Sequence, residues 1–266
     1  MNEENRSIAT EGYSSNLLGI PSELVASVSF NDFPIPLSIR GVREAHANLF
    51  DELSHCKNIS SACHVFANHM DMLFSLNDRG TGRFHANYLQ LLRDWGLDSN
   101  GLAGAVLKGW VESRFGLFPT FHRTPIHRFN SSEWVAYVED KMSARFNNNN
   151  IFMQLDMLYE FSQWMLRKFI ANGKKHLTLY RGTNNLFDQQ LLQQIDAKNA
   201  IVRFNNLLSF TSHRGIADEF GDIIIKVEVP AVKLLFFNEL RSPPLLRGES
   251  EFLVIGGDYR VELSYI

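Results

Sequence analysis

The chain is 266 residues long, 45% hydrophobic and 21% charged, with a net charge of −3; this is ordinary for a soluble protein with room for one large core or two modest ones. The charge balance offers no basic excess for a polyanion, which argues against nucleic acid as the main partner. The polar start MNEENRSIATEGYSS has no apolar secretory core, no later apolar run reaches the length of a membrane span, and two cysteines, Cys56 and Cys63, are too few for a disulfide framework, so a soluble cytoplasmic protein is expected.

In chain order, residues 1–16 read as a flexible polar tail. From there to about Ile39 the text is punctuated by proline, and Pro34 and Pro36 predict extended, irregular backbone. Helices are expected around Val42–Leu53, Ala62–Phe74 and Ser131–Phe146, the last with Ser131 or Ser132 as its N-cap ahead of Glu133. The clearest helix is IFMQLDMLYEFSQWMLRKFIANG. There Ile151, Leu155, Leu158, Phe161, Met165 and Phe169 form one apolar stripe, and Arg167 and Lys168 stand at the negative end of the helix dipole. Asn172 and Gly173 then supply a stop that tolerates left-handed backbone. Past Gly173 the helical period gives way to short β-branched and aromatic runs: HLTLYRG, NLLSFTS, DIIIKVEVP, VKLLFF, EFLVIGG and YRVELSYI. Six strands are expected. The order predicts an α+β fold, with a mainly helical part over 17–173 packed on a β-rich part over 174–266 and no long linker between them.

Three features carry chemistry. RGESEFLVIGGDYR sets Glu249 and Glu251 two residues apart, so on a strand both carboxylates share one face, where like charges raise a pKa unless something compensates. A solvated strand entrance accounts for the same spacing. Arg181 stands where a strand exits to Gly182 and Thr183, a good place for a planar fork that clamps phosphate or carboxylate, although a surface ion pair is the plainer use. Ser209, Thr211 and Ser212 put three hydroxyls on one run, able to orient a ligand or a neighbouring acid. Hydroxyl-rich strands are also common.

Together, a cation, a hydroxylated strand and a carboxylate pair follow the Arg, Ser, Glu order of the mono-ADP-ribosyltransferases, which end in a Glu-x-Glu pair. The stretches GAVLKGWVESRFGLFPTFH, KMSARFNNNNIFMQLDMLYEF, HLTLYRGTN and RGESEFLVIGGDY resemble the dinitrogenase reductase ADP-ribosyltransferase family, over about Leu17 to Ile266. The resemblance implies transfer of ADP-ribose from NAD to an arginine of nitrogenase iron protein, which reversibly switches off nitrogen fixation. NAD is then a consumed co-substrate, no metal is needed, and a nitrogen-sensing PII-type signalling protein is an expected regulator. It implies that Arg181, with Gly182 and Thr183, holds the NAD diphosphate and that the SFTS segment supports the nicotinamide side. Glu251 becomes the main catalytic carboxylate and Glu249 the acid that prepares the acceptor. Many transferases of the wider class carry Ser-Thr-Ser where this chain has Ser-Phe-Thr-Ser, so the motif serine falls on Ser209 or on Ser212.

The chemistry suits the spacing. Breaking the nicotinamide bond builds positive charge on the ribose, which a fixed carboxylate steadies. A guanidinium is a poor nucleophile until a second carboxylate orients it and accepts its proton. The segment NELRSPPLLRG, stiffened by Pro243 and Pro244 and freed at Gly248, is expected to form a loop that reads the target. Two other readings use the same pocket: an NAD glycohydrolase with water as acceptor, and a non-catalytic NAD-dependent interaction module. His55, Cys56, Cys63, His64 and His69 lack the paired spacing of a zinc finger and are read as buried thiols and surface histidines.

Overall fold

The structure, a computed structural model, describes residues 16–76, 87–184, 189–240 and 251–265. Two short helices, Ser22–Ala26 (α1) and Val28–Asp32 (α2), precede Val42–Ala45 (α3), Ala47–Ser54 (α4), Ile59–Phe74 (α5), Tyr88–Leu97 (α6) and Leu102–Phe115 (α7). A small antiparallel ribbon pairs Phe121–His122 (β1) with Thr124–Pro125 (β2). Ser132–Ser143 (α8) and Asn149–Met165 (α9) follow, and a π-helical turn carries α9 on to Ile170. The larger sheet is built from His176–Thr183 (β3), Gln189–Gln194 (β4), Asn199–Thr211 (β5), Ile223–Pro230 (β6), Leu234–Phe237 (β7) and Glu251–Tyr265 (β8), with Arg214–Ala217 (α10) between β5 and β6. Helices first and a six-stranded antiparallel sheet last make this the expected α+β class.

Local chemistry accounts for several element ends. Ser131 caps α8 by accepting a 3.2 Å hydrogen bond from the Trp134 amide, and Asn148 caps α9 by accepting one of 3.0 Å from the Ile151 amide. The left-handed stop after the π turn falls at Asn172 and Gly173, with φ of 46° and 79°. Four expectations need correction. The region read as irregular before Ile39 contains α1 and α2, because Ser27 accepts from the Phe30 amide and starts a helix before the prolines act. The helix expected over Val42–Leu53 is broken at His46 into α3 and α4. Helices α6 and α7 were not anticipated; α7 is buried continuously from Ala103 to Val111, so it has no polar face to create an amphipathic period. The last two β runs are one strand, β8, bent at Gly257, whose φ is +125°, while the sixth strand is the glutamine-rich β4.

Backbone pairing runs from β5 to β8, from β8 to β6, from β6 to β3, and from β3 back to β5, so four strands close a circuit. Strand β4 adds to the free side of β5, and β7 pairs with the N-terminal part of β8. A cluster of buried side chains runs through both helices and sheet. The whole predicted stripe faces it, with Ile151, Leu155, Leu158, Phe161 and Met165 buried in it and Phe169, on the π-helical turn, partly buried against it; Phe161 stacks on Phe66 of α5 at 4.0 Å between centroids.

Helix α9 is also buried on polar positions. Asp156 accepts from Trp110 Nε1 at 2.8 Å and from Arg114 at 2.8 and 2.9 Å. Glu160 accepts from the Ile39 amide at 2.7 Å and pairs with Arg43. Gln163 donates to the carbonyls of Ala231 and Leu234, tying α9 to the start of β7. Each buried polar group is thus matched by a partner on another element, which is what makes its burial tolerable. Lys168, expected to serve its own helix end, instead donates to the last carbonyls of α4, with 2.6 Å to Ser54 O. Among the described residues no helix is long and apolar enough to cross a membrane.

Candidate active site

The site is organised by the C-terminal end of β5. Thr211 lies opposite Glu251, the first residue of β8, and opposite Tyr180 of β3 on its other side. Two strand spacings, about 10 Å, therefore separate the backbone of Glu251 from that of Tyr180, next to Arg181. Paired residues project to the same face, as do residues two apart on one strand, so Ser209, Thr211 and Glu251 share a face. Arg181 shares its face of β3 with the buried Leu179, and its Nη1 donates a 2.9 Å hydrogen bond to the Ser209 carbonyl across the β3–β5 seam. That bond fixes one edge of the guanidinium fork.

Gly182 allows this closeness. A Cβ there would lie 1.8 Å from the Ala217 carbonyl oxygen, so only glycine lets α10 press on β3 beside Arg181.

Arg181 and Ser209 open into a small cavity of about 50 Å³, whose other walls include Trp95, Asn100, Lys108 and Asn205. Trp95 Nε1 donates to Ser209 Oγ at 3.0 Å. A bulge in β5, between Phe204 and Leu207, turns two asparagines sideways into the helical part. Asn205 accepts from the Thr120 amide at 3.0 Å and donates to Phe121 O at 2.9 Å. Asn206 donates to the carbonyls of Lys108 and Leu117, both at 2.9 Å. These bonds hold the middle of α7 and the 117–121 segment against the sheet.

Lys108 is 1% exposed, and its ammonium donates to Asn100 Oδ1 at 2.9 Å and Phe121 O at 3.1 Å and meets His122 Nδ1 at 3.3 Å. His122 Nε2 lies 3.0 Å from Asp140 Oδ2. Burial, aided by the neighbouring Lys108 charge, pulls the His122 pKa down to about 4 against the opposing pull of Asp140. The imidazole is therefore neutral near pH 7, with its proton on Nε2 toward Asp140 and its Nδ1 lone pair toward Lys108.

The predicted residues divide as follows. Ser209, Thr211 and Glu251 stand on one face of the β5–β8 pair, with Glu251 half-buried at its edge; Arg181, one residue past the Tyr180 that pairs with Thr211, projects from the other face of β3 and reaches the seam through its bond to the Ser209 carbonyl, while Gly182 and Thr183 continue along β6 opposite Ile224 and Ile223, and Arg181 and Ser209 both line the cavity. Ser212 is exposed and pairs with His213 Nδ1 at 3.1 Å, so Ser209 and not Ser212 reaches the cavity. Glu249 and the 241–250 segment lie outside the described residues. Sequence reasoning missed Trp95, Asn100, Lys108 and Asn205 as wall residues. Two signals were present: a lysine inside the apolar run LAGAVLKGWV, and an Asn-Asn pair inside a β run, both of which need buried partners. Of the discounted cysteine and histidine group, Cys56 is buried, burial raises the Cys63 thiol to about 11, and His69 Nε2 lies 3.4 Å from His46 Nδ1.

Residues 15–263 match the family described as dinitrogenase reductase ADP-ribosyltransferase. The chain is 49% identical over 265 residues to NAD(+)–dinitrogen-reductase ADP-D-ribosyltransferase of Rhodospirillum rubrum, with 96% of each chain covered. No solved structure matches it. A match that takes in α7, the strand that carries Arg181 and the Glu251 end of β8 leaves one conclusion, that this chain belongs to the dinitrogenase reductase ADP-ribosyltransferase family.

Proposed function

We infer that the protein transfers ADP-ribose from NAD to an arginine of nitrogenase iron protein, and that the β3–β5–β8 junction is where it does so. The relative from Rhodospirillum rubrum is named for NAD and for dinitrogen reductase, and near-complete coverage supports the same donor and acceptor here. The observation that carries the site is the double pairing of Thr211, with Tyr180 on one side and Glu251 on the other, beside a cavity walled by Arg181 and Ser209. We assign the NAD diphosphate to Arg181, whose planar fork suits two phosphate oxygens. Ser209, held by Trp95, supports the nicotinamide side.

In the reaction the bond between ribose C1′ and the nicotinamide nitrogen breaks, nicotinamide leaves neutral, and the positive charge passes to the ribose. Glu251 steadies that charge as it develops and fixes a ribose hydroxyl. Glu249 orients the acceptor guanidinium and takes its proton as nitrogen bonds to C1′. The 241–250 segment reads the target surface. A PII-type signalling protein sets when the enzyme works, and the cytoplasm, where the target resides, is its compartment.

The test is mass spectrometry of iron protein after incubation with NAD and the enzyme, run beside nicotinamide release. One ADP-ribosyl group on an arginine is expected. Glu251→Gln lowers both readouts by roughly 10²–10³. Glu249→Gln keeps nicotinamide release and loses transfer to arginine. Release without added mass on arginine would instead establish an NAD glycohydrolase, and undiminished release in Glu251→Gln would take the catalytic role from that residue.

A further inference from the structure

The reaction as written uses the sheet and leaves the helical part without a task, although Trp95, Asn100 and Lys108 wall the same cavity as Arg181. Lys108 is the member that costs most to place. Its ammonium is buried within α7's surroundings, and three acceptors from two segments are aimed at it: Asn100 Oδ1 from the turn before α7, and Phe121 O and His122 Nδ1 from β1. The third acceptor is itself prepared. Asp140 takes the proton side of His122, so the ring turns its lone pair to Lys108. Arg123, 2.8 Å from Asp140, completes a chain that leads from the surface to the cavity wall. Gly104 permits the turn that carries Asn100, since a Cβ there would lie 2.1 Å from Ser99 O. The protein thus commits an aspartate, a histidine, an asparagine and a glycine to holding one positive charge at a fixed point.

The ligand proposed for this cavity carries two negative charges on its diphosphate, and Arg181 supplies one positive charge. We propose that Lys108 is the second cation for the NAD diphosphate, held in position by the Asp140–His122 couple and Asn100. It acts on binding, as a positioning residue of the helical part, and takes no part in bond breaking. A fixed charge at a poorly solvated wall acts over a longer range than one in bulk water, so Lys108 need not give up its protein partners to favour the diphosphate. This assignment rests on the NAD reading of the site.

The test compares two ligands by calorimetry on the whole protein: ADP-ribose, which carries the diphosphate, and adenosine, which does not. Lys108→Gln removes the charge and keeps a hydrogen-bond donor. Asn100→Asp keeps Lys108 and its packing but sets a carboxylate against the ammonium, cancelling its field. Both variants are expected to weaken ADP-ribose by roughly tenfold or more, with adenosine within about twofold of the unaltered protein. Should Lys108→Gln fail to fold, Asn100→Asp must give that pattern by itself. Equal weakening of both ligands, or of neither, overturns the role of Lys108 and leaves the NAD reading standing. Failure of the unaltered protein to bind ADP-ribose overturns both.

Discussion

Gly182→Ala tests whether the contact between β3 and α10 sets the position of Arg181. The added Cβ would lie 1.8 Å from Ala217 O, 2.9 Å from Ala217 C and 3.2 Å from Phe220 Cβ. Ordinary carbon contacts begin at about 3.5 Å, so the two elements must part by roughly 1.5 Å. The nearest atom is backbone and has no rotamer to escape into. Overpacking of this kind costs about 1–3 kcal/mol of stability, which lowers the thermal midpoint by roughly 2–4 °C for each kcal/mol in a chain near this size. Activity should suffer more than stability. The strand that moves carries Arg181 at the adjacent position, and misplacing a binding group by about 1 Å can cost on the order of 10² in kcat/KM. Steady-state kinetics with varied NAD, beside calorimetric unfolding, reads both effects. Gly215→Ala is the control: it lies in α10 itself, yet a Cβ there meets nothing within 4 Å, so it should leave kinetics unchanged. If Gly182→Ala keeps kcat/KM for NAD within about threefold, or Gly215→Ala is equally damaging, close approach at Gly182 does not position the arginine.

Arg181→Lys keeps the charge but loses the fork and the bond to Ser209 O, and the KM for NAD should rise about tenfold or more; an unchanged KM would remove the diphosphate from Arg181. Ser209→Ala strands the buried Trp95 indole N–H, costing about 1–3 kcal/mol and weakening NAD, whereas Ser212→Ala should be silent in both unfolding and kinetics; the reverse pattern would move the motif serine to Ser212. Asp156→Ala leaves Arg114 and Trp110 without their shared acceptor and should destabilise by about 3–5 kcal/mol in urea unfolding, so a loss below about 1 kcal/mol would show that the α7–α9 pair is not buried as described. His122 has an ordinary pKa of 6.5 in the unfolded chain but about 4 in the fold, so the unfolded state binds the extra proton between those values and stability falls as pH drops through that window. Allowing for solvent near Asp140, the loss is roughly 2 kcal/mol, and His122→Gln should flatten it; an equally steep fall in that variant would mean the histidine is already charged in the fold.

What the sequence made legible, and what it hid, follows from where each signal originates. The stripe of α9 was visible because its apolar residues repeat at the helical period, and its ends were visible because Asn172 and Gly173 are local devices. Helix α7 hid because burial on every side erases periodicity, and β4 hid because its run QQLLQQ carries no alternation of apolar and polar residues. The order of Arg181, Ser209 and Glu251 was legible; their meeting was not, because it depends on register. Upstream of the bulge Phe204 lies opposite Gly257, and continuing that register without interruption would set Ser250, not Glu251, opposite Thr211. The extra residue between Phe204 and Leu207 moves the pairing by one, so that Leu207 meets Ile255 and Thr211 meets Glu251. Without it Glu251 would turn to the other face of β8. The bulge is made by Asn205 and Asn206, the same side chains that grip the Lys108 carbonyl, Leu117, Thr120 and Phe121. On the side of the bulge away from Thr211, Arg203 and Asp258 clamp the two strands with bonds of 2.6 and 2.7 Å, and Lys233 holds Gly256 O at 2.7 Å, so the shift cannot relax along β8. One irregularity therefore does two jobs: it docks the helical wall of the cavity, and it sets the face on which the carboxylate of Glu251 stands. An asparagine pair in the middle of an apolar strand is costly as a β-former and has its reason in that coupling.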